Sequence, residues 1–535
     1  MKEKSWVIHP VLFAVYPVLF MLSHNISELS VRIVRFPLFI TLLFFSLIWL
    51  TLYFVLKNKY KRGLIISLFF FSFFSYGHII NFLFRGKDSI LYLLLYLSFI
   101  AVLIYLIIKT KKELLNFSKI LNYISIFLVI FSVFNITYYE IKNRSKQRVI
   151  NQDTSTIKIT RKDKTEYPDI YYLIFDRYTS SENLLNFLGF DNSDFENYLK
   201  NKGFFISSKC RANYPYTFLS LASSLNMEYI NYLFDIAGSH STDRTPTYIL
   251  LRNSKVVRFL KSIGYKYYHL GSWWGPTSKS EKADKNFIYP NKIKIDLDEF
   301  SFKLFKTTIA YSAVLNFFPN LLFNKDEKNV ANIDANRILY KFNQFKHIPY
   351  KRGPKFIFAH FLSTHPPYYF DKSGQMLTKD QLLNKIDKNT WGCKKEIKLY
   401  LESIEFTNTK IKELVSNILS NSSNTPIIII QADEGPVFKN WTKNRSKYLY
   451  MRTGIFCALY FPNVDKKRLK RLTTPVNIFR FVFNHYLGAS LPYFNNIVYR
   501  YKSRKDIYSF KNITRLFRKK RHRIKQIKKK KMINQ

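Results

Sequence analysis

Four stretches near the start of the chain, Phe36 to Leu56, Leu64 to Phe84, Ile90 to Ile108 and Ile120 to Tyr139, contain no charged side chain. Each is close to the roughly 20 residues that cross a bilayer as a helix. In lipid a single segment can satisfy its own backbone polar groups only as a helix, so residues 1–140 are expected to form a transmembrane helical domain. A fifth run, from Trp6 to about Leu22, contains His9, Pro10 and Pro17. It lacks a small-residue cleavage site and precedes further spans, so it reads as the first transmembrane helix rather than a signal peptide. On the third span, His78 and Asn81 share a face, either as a functional polar pair or as interfacial anchors.

The short loops give an orientation. Lys2 and Lys4, then Lys57, Lys59, Lys61 and Arg62, then Lys109, Lys111 and Lys112 fall on one side, against Arg32, Arg35, Arg85 and Lys87 on the other. The more basic side belongs in the cytoplasm, which puts everything after Tyr139 outside it. Lys142, Arg144, Lys146 and Arg148 pull the other way. The expectation is a multi-pass protein of the cell (inner) membrane with an extracytoplasmic C-terminal domain. A composition of 47% hydrophobic and 18% aromatic residues agrees with a membrane part. The net charge of +48 is spread among Ile, Asn, Phe and Tyr throughout, as an AT-biased genome would produce, and is not taken as a sign of nucleic-acid binding. Cys210, Cys393 and Cys457 form no CxxC pair and no disulfide framework, leaving room for one bridge and a free thiol.

Residues 141–167 are polar and read as a linker. Beyond it, Ile427 to Ile430 follow Pro426 as a run apolar on both faces, the mark of a strand in a parallel sheet covered by helices. The run ends in Asp433-Glu434-Gly435-Pro436, and ligand sites of such sheets lie beyond the carboxyl ends of the strands. The stretch Tyr167 to Tyr178 holds a second apolar strand that also ends in a carboxylate, Asp176, followed by Arg177. Thr247 to Ile263 has helical periodicity, Lys266 to Gly271 and Lys355 to Leu362 read as strands, Lys394 to Leu419 as a long amphipathic helix, and Gly454 to Phe461 as a late strand. That order predicts an α/β domain over 168–500, a largely parallel sheet flanked by helices. Residues 501–535 are expected as a basic tail, with 11 Lys or Arg between Arg515 and Lys531, either solvated or lying on anionic lipid or an acidic polymer.

Three clusters carry chemistry. Thr217 follows a Tyr-Pro turn and opens an apolar helical run, either as a cap or as a hydroxyl where a helix N-terminus favours anions. His360 and His365 flank the end of the Lys355 strand. Strand-end carboxylates, a hydroxyl and a histidine pair together supply cation ligands, a nucleophile and groups that grip substrate oxygens, as metal-assisted phosphoryl or sulfuryl transfer requires.

The order of "DIYYLIFDRY", "NYPYTFLSLASSLN", "HFLSTHPPYYF" and "IIIIQADEGP" resembles membrane-anchored sulfatase-like proteins of the alkaline phosphatase superfamily, a group that includes lipoteichoic acid synthases and phosphoethanolamine transferases. "HPVLFAVYPVLF", "YYHLGSWWGP" and "TTPVNIFRFVFNHYLG" extend the likeness to about residue 500. The resemblance implies that Asp176 and Asp433 bind a divalent metal, that Thr217 is both ligand and nucleophile, and that His365 contacts the transferred group. Glu434 stands where the family usually has histidine and is expected to complete the metal site, with Mn²⁺ preferred and Mg²⁺ or Zn²⁺ as alternatives. His360, Arg177 and Trp273 join His365 as expected substrate contacts, although Trp273 and Trp274 would equally pack in a core. Cys210 is followed by Arg211-Ala212-Asn213-Tyr214 and so lacks the pattern of formylglycine sulfatases. The expected function is transfer of a phosphate-linked head group from a lipid or glycan donor to a cell-envelope acceptor. Hydrolysis of a phosphodiester or sulfate ester, and a non-catalytic glycan-binding module, are the alternatives.

Overall fold

The computed structural model describes residues 6–26, 29, 31–84, 88–151, 157, 159, 167–272, 274–289, 299–318, 330–377, 394–438, 441, 444–503 and 505–517. The chain divides into two compact units, Met1–Ser145 with Pro290–Lys328, and Lys146–Tyr289 with Asn329–Gln535. In the first unit, Val31–Val55, Lys59–Phe84, Ile90–Lys109 and Leu115–Ile150 are each long and apolar enough to cross a membrane. The run expected as a fifth span forms the 16-residue helix His9–His24, shorter than the roughly 20 residues a crossing takes.

That short helix is held by side chains of its neighbours. Its orphan N-terminal donors, the N–H groups of Ile8 and His9, reach Asn122 Oδ1 at 3.1 and 2.9 Å, while the His9 ring meets Ser67 and Ser118 hydroxyls at 2.6 and 3.1 Å. His9 is thus buried among polar partners, whereas His78 and Asn81, the pair singled out by the sequence, are both exposed. Helices Glu299–Lys306 and Ile309–Phe317 also belong here, although their sequence falls inside the expected outer domain. Gly77 makes room for them. Its N–H donates to the Thr307 carbonyl at 2.9 Å, and a Cβ there would sit 2.5 Å from the Lys306 carbonyl oxygen.

The second unit is built on a seven-stranded sheet. Its strands are β1 (Ile170–Phe175), β2 (Phe205–Ile206), β3 (Lys266–Leu270), β4 (Lys285–Asn286), β5 (Lys355–Phe361), β6 (Ile427–Gln431) and β7 (Cys457–Tyr460), in the order β2-β7-β6-β1-β5-β3-β4. β6, β1, β5, β3 and β4 run parallel, while at one edge β7 is antiparallel to β6 and β2 is antiparallel to β7. Ile427 to Ile430 are completely buried, each supplying roughly 2 kcal/mol of apolar transfer free energy. The helix read from Lys394 runs Lys394–Asn421, and the helical stretch read from Thr247 splits into Thr245–Arg252 and Lys255–Ser262.

Register places the site. Ile174 of β1 pairs with His360 of β5 and with Gln431 of β6. Side chains alternate along a strand, so His360, Asp176 two residues past Ile174, and Asp433 two past Gln431 share one face. Two expected boundaries shift. The Leu115 helix continues to Asn151, so the linker begins as helix, and residues 501–512 fall in a hairpin of β8 (Tyr499–Ser503) and β9 (Asp506–Asn512) instead of a tail. Cys210 and Cys457 are buried free thiols. Cys393, Trp273 and the tail beyond residue 517 lie outside the described residues.

Candidate active site

At the ends of β1, β5 and β6, one side-chain oxygen or nitrogen from each of Asp176, His360 and Asp433 lies within 4.8 Å of the others, and all three residues are buried. His360 Nε2 stands 3.7 Å from Asp176 Oδ2. Asp433 Oδ1 accepts the backbone N–H groups of Glu434 and Arg177 at 2.8 and 3.4 Å, which fixes its carboxylate plane. Asp176 Oδ1, Asp433 Oδ2 and His360 Nε2 are buried with no hydrogen-bond partner among the described residues. Each such orphan costs about 1–3 kcal/mol, so three converging on one point fit a cation. Burial, then the Asp176 charge, pushes the Asp433 carboxyl up to about 6, the response of crowded carboxylates that a cation would reverse.

Thr217 occupies the first position of the helix Thr217–Asn226, and its hydroxyl lies beside the Asp433 carboxyl, favouring that carboxylate's charged form. Asp176, Thr217 and Asp433, read from stretches far apart in the sequence, therefore meet at one end of one sheet. His365 sits near Arg177 and Asp176. A carbonyl can only accept, so the 2.5 Å contact from His365 Nδ1 to the Pro366 oxygen puts the proton on Nδ1 and leaves Nε2 unprotonated. Burial holds both His360 and His365 down at about 4, so both are neutral imidazoles at pH 7.

Two of the expected residues, His360 and Glu434, sit among partners other than those the sequence suggested. His360, expected to touch substrate, stands within the acidic group, and its Nδ1 lies 2.9 Å from the Thr277 hydroxyl, which orients the ring. Glu434, expected as a metal ligand, lies outside that group. Its Oε2 is in ion-pair contact with Arg452, and its Oε1 lies 3.6 Å from Arg177 Nε. A buried carboxylate needs a counter-charge, and here guanidinium groups provide it. Burial raises the Glu434 carboxyl to about 8, while the Arg452 guanidinium buried in direct contact with it opposes the rise and favours the ionised pair.

Sequence reasoning missed three residues. Arg452, 1% exposed, donates Nε to the Pro215 carbonyl at 2.6 Å and Nη1 to the Gly435 carbonyl at 2.9 Å, tying the Thr217 turn to the acidic turn. Lys341, drawn down to about 7 by burial, donates to the His360 carbonyl. Thr277 follows the Trp-rich turn already noted, and a hydroxyl near that turn was the one signal available. Gly435 is required where it stands, because a Cβ would lie 1.8 Å from the Met451 carbonyl oxygen.

Fold and site together define an α/β domain whose strand ends gather two carboxylates and an imidazole, carried on a chain with four helices long and apolar enough to cross a membrane. A family model described as Sulfatase matches residues 197–486, more than half of the chain, and the chain belongs to that family. Solved structures similar to it include the C-terminal periplasmic domain of EcEptC from Escherichia coli, at 12% identity and a TM-score of 0.42, covering 67% of this chain and 96% of that one. The integral membrane protein lipooligosaccharide phosphoethanolamine transferase A (EptA) from Neisseria meningitidis aligns at 12% identity and a TM-score of 0.38, covering 89% and 94%. BT1596, a 2-O GAG sulfatase, aligns at 14% identity and a TM-score of 0.38, covering 61% and 72%. No curated protein matches the chain.

Proposed function

We propose that this chain is a membrane-bound enzyme that transfers a phosphate-linked head group from a lipid or glycan donor to a cell-envelope acceptor, with Thr217 as nucleophile. The observation that carries this reading is the convergence of three unpartnered buried ligand atoms beside a helix-borne hydroxyl. Asp176, Asp433 and His360 are the residues that would hold a divalent cation. Two carboxylates and one imidazole suit Mn²⁺ or Zn²⁺ better than Mg²⁺, which favours all-oxygen shells. When bound, the cation supplies charge stabilisation for the transferred group and makes the hydroxyl more acidic.

Thr217 Oγ1 attacks phosphorus, the bond from phosphorus to the donor's oxygen breaks, and the donor leaves as its alcohol. An acceptor hydroxyl then attacks the phosphothreonyl ester and restores Thr217. Arg177 and His365, near Asp176, grip the transferred group's oxygens. Water in place of the acceptor gives hydrolysis, a second reading favoured by membership of the sulfatase family.

Incubated with Mn²⁺ or Zn²⁺ and phosphatidylethanolamine or a glycerophospholipid, without acceptor, the protein should carry a phosphate ester on Thr217, detectable by peptide mass spectrometry. An adduct on a different residue would overturn the assignment of the nucleophile. The membrane orientation has its own check. A periplasm-dependent reporter fused at the C-terminus should be active, and a cytoplasm-dependent one silent. The opposite pattern removes the extracytoplasmic placement on which envelope chemistry depends.

A further inference from the structure

Resting on the cation-binding reading of Asp176, His360 and Asp433, we propose that Glu434 is not a ligand but a charged bridge that positions the Arg177 guanidinium to hold a tetrahedral oxyanion, the phosphate or sulfate of the substrate. The geometry is asymmetric in a telling way. Of the two guanidinium groups at Glu434, that of Arg452 is sealed, with 2% of its side chain exposed and Nε and Nη1 each donating to a backbone carbonyl. That of Arg177 keeps 21% of its side chain exposed, and its Nε stands 3.6 Å from Glu434 Oε1 without a hydrogen bond. One arginine is therefore structural and the other remains open to a ligand.

The backbone at Arg177 supports this division. Its φ of +64° lies in the left-handed region, which a non-glycine residue adopts at a cost, and such outliers persist where surrounding structure enforces them. Here the enforcement is visible. The Arg177 N–H points at Asp433 Oδ1 at 3.4 Å, and its carbonyl accepts the Tyr400 hydroxyl at 2.9 Å. The residue that follows the first strand-end carboxylate is thereby turned so that its guanidinium lies against Glu434, close to His365 and Asp176. Arginine's planar fork suits two oxygens of a phosphate or sulfate. Glu434 adds a negative charge to a site that already has two carboxylates, and the guanidinium groups beside it absorb that charge instead of a metal.

The test uses the full chain in detergent, loaded with Mn²⁺ or Zn²⁺, and reads metal content by elemental analysis and affinity for inorganic phosphate and sulfate by calorimetry. Glu434→Gln should retain as much metal as the unaltered protein, whereas Asp433→Asn and His360→Ala lose it. The same Glu434→Gln, and Arg177→Met, should weaken oxyanion binding by about tenfold or more, and Arg177→Lys should restore part of it. Metal loss in Glu434→Gln equal to that in Asp433→Asn makes Glu434 a ligand and overturns the proposal. Unchanged oxyanion affinity in Arg177→Met overturns it also. If the unaltered protein binds no metal, the cation reading falls, and the oxyanion arm still decides the role of the bridge. Arg177→Met changes a partly exposed side chain, so that arm survives even if Glu434→Gln fails to fold.

Discussion

Thr217→Ala should reduce turnover by about three orders of magnitude or more, with bound metal and melting temperature unchanged. The expectation rests on the hydroxyl's position at the first turn of Thr217–Asn226 beside Asp433. Ser220, one turn further on, is buried in the helix. Alanine is the better helix former, which offsets the loss of the hydroxyl contact with Asp433. Thr217→Ser keeps an oxygen and should retain measurable turnover. Enzyme-dependent envelope modification in a deletion strain, complemented with each variant, provides the readout. Complementation by Thr217→Ala equal to that of the unaltered protein would favour a module that binds envelope glycans without chemistry.

Arg452→Leu should destabilise the second unit by about 3–5 kcal/mol, because it leaves the Glu434 carboxylate buried without its counter-charge. The Pro215 and Gly435 carbonyls lose their donors at the same time. Unsatisfied buried acceptors each cost about 1–3 kcal/mol, so the upper end of the range is the more realistic one. Against a typical domain stability of about 5–15 kcal/mol this is a large fraction. Urea or thermal unfolding should show it directly. The double variant Arg452→Leu with Glu434→Leu should recover part of the loss, since the stranded charge is gone. If the single variant unfolds at the same denaturant concentration as the unaltered protein, the pair does not hold these turns together.

Much of this was legible in the sequence for a physical reason. Strands buried on both faces are written as unbroken apolar runs, so β1 and β6 and the carboxylates at their ends could be read without a structure. The grouping of His360 with the two strand-end carboxylates, and of Glu434 with Arg452, could not. It depends on Ile174 being aligned with both His360 and Gln431 across neighbouring strands, and register between parallel strands leaves no local mark. Arg452 was invisible for a related reason: its partner Pro215 lies 237 residues away. The first helix, His9–His24, is shorter than the four long apolar helices, and its polar anchor, Asn122, lies 113 residues from His9, where no local pattern could reveal it. Residues 299–317 misled in another way, since position in the chain was taken as membership of the outer domain.

That excursion has a bearing on inheritance. A cassette is a stretch of gene that can be moved because the protein it encodes is complete, and here neither unit is continuous in sequence. The helices Glu299–Lys306 and Ile309–Phe317 meet their packing partners around Gly77 and Tyr76, where Ser312 reaches the Tyr76 hydroxyl at 3.3 Å. A cut near residue 146 would free an α/β domain that carries two helices without the surface that covers them. Recombination that replaced the N-terminal helices alone would strand the same pair against a foreign neighbour. Viable exchanges among such chains should therefore carry the N-terminal helices and the 299–317 insert together, so that the two segments travel through evolution as one character.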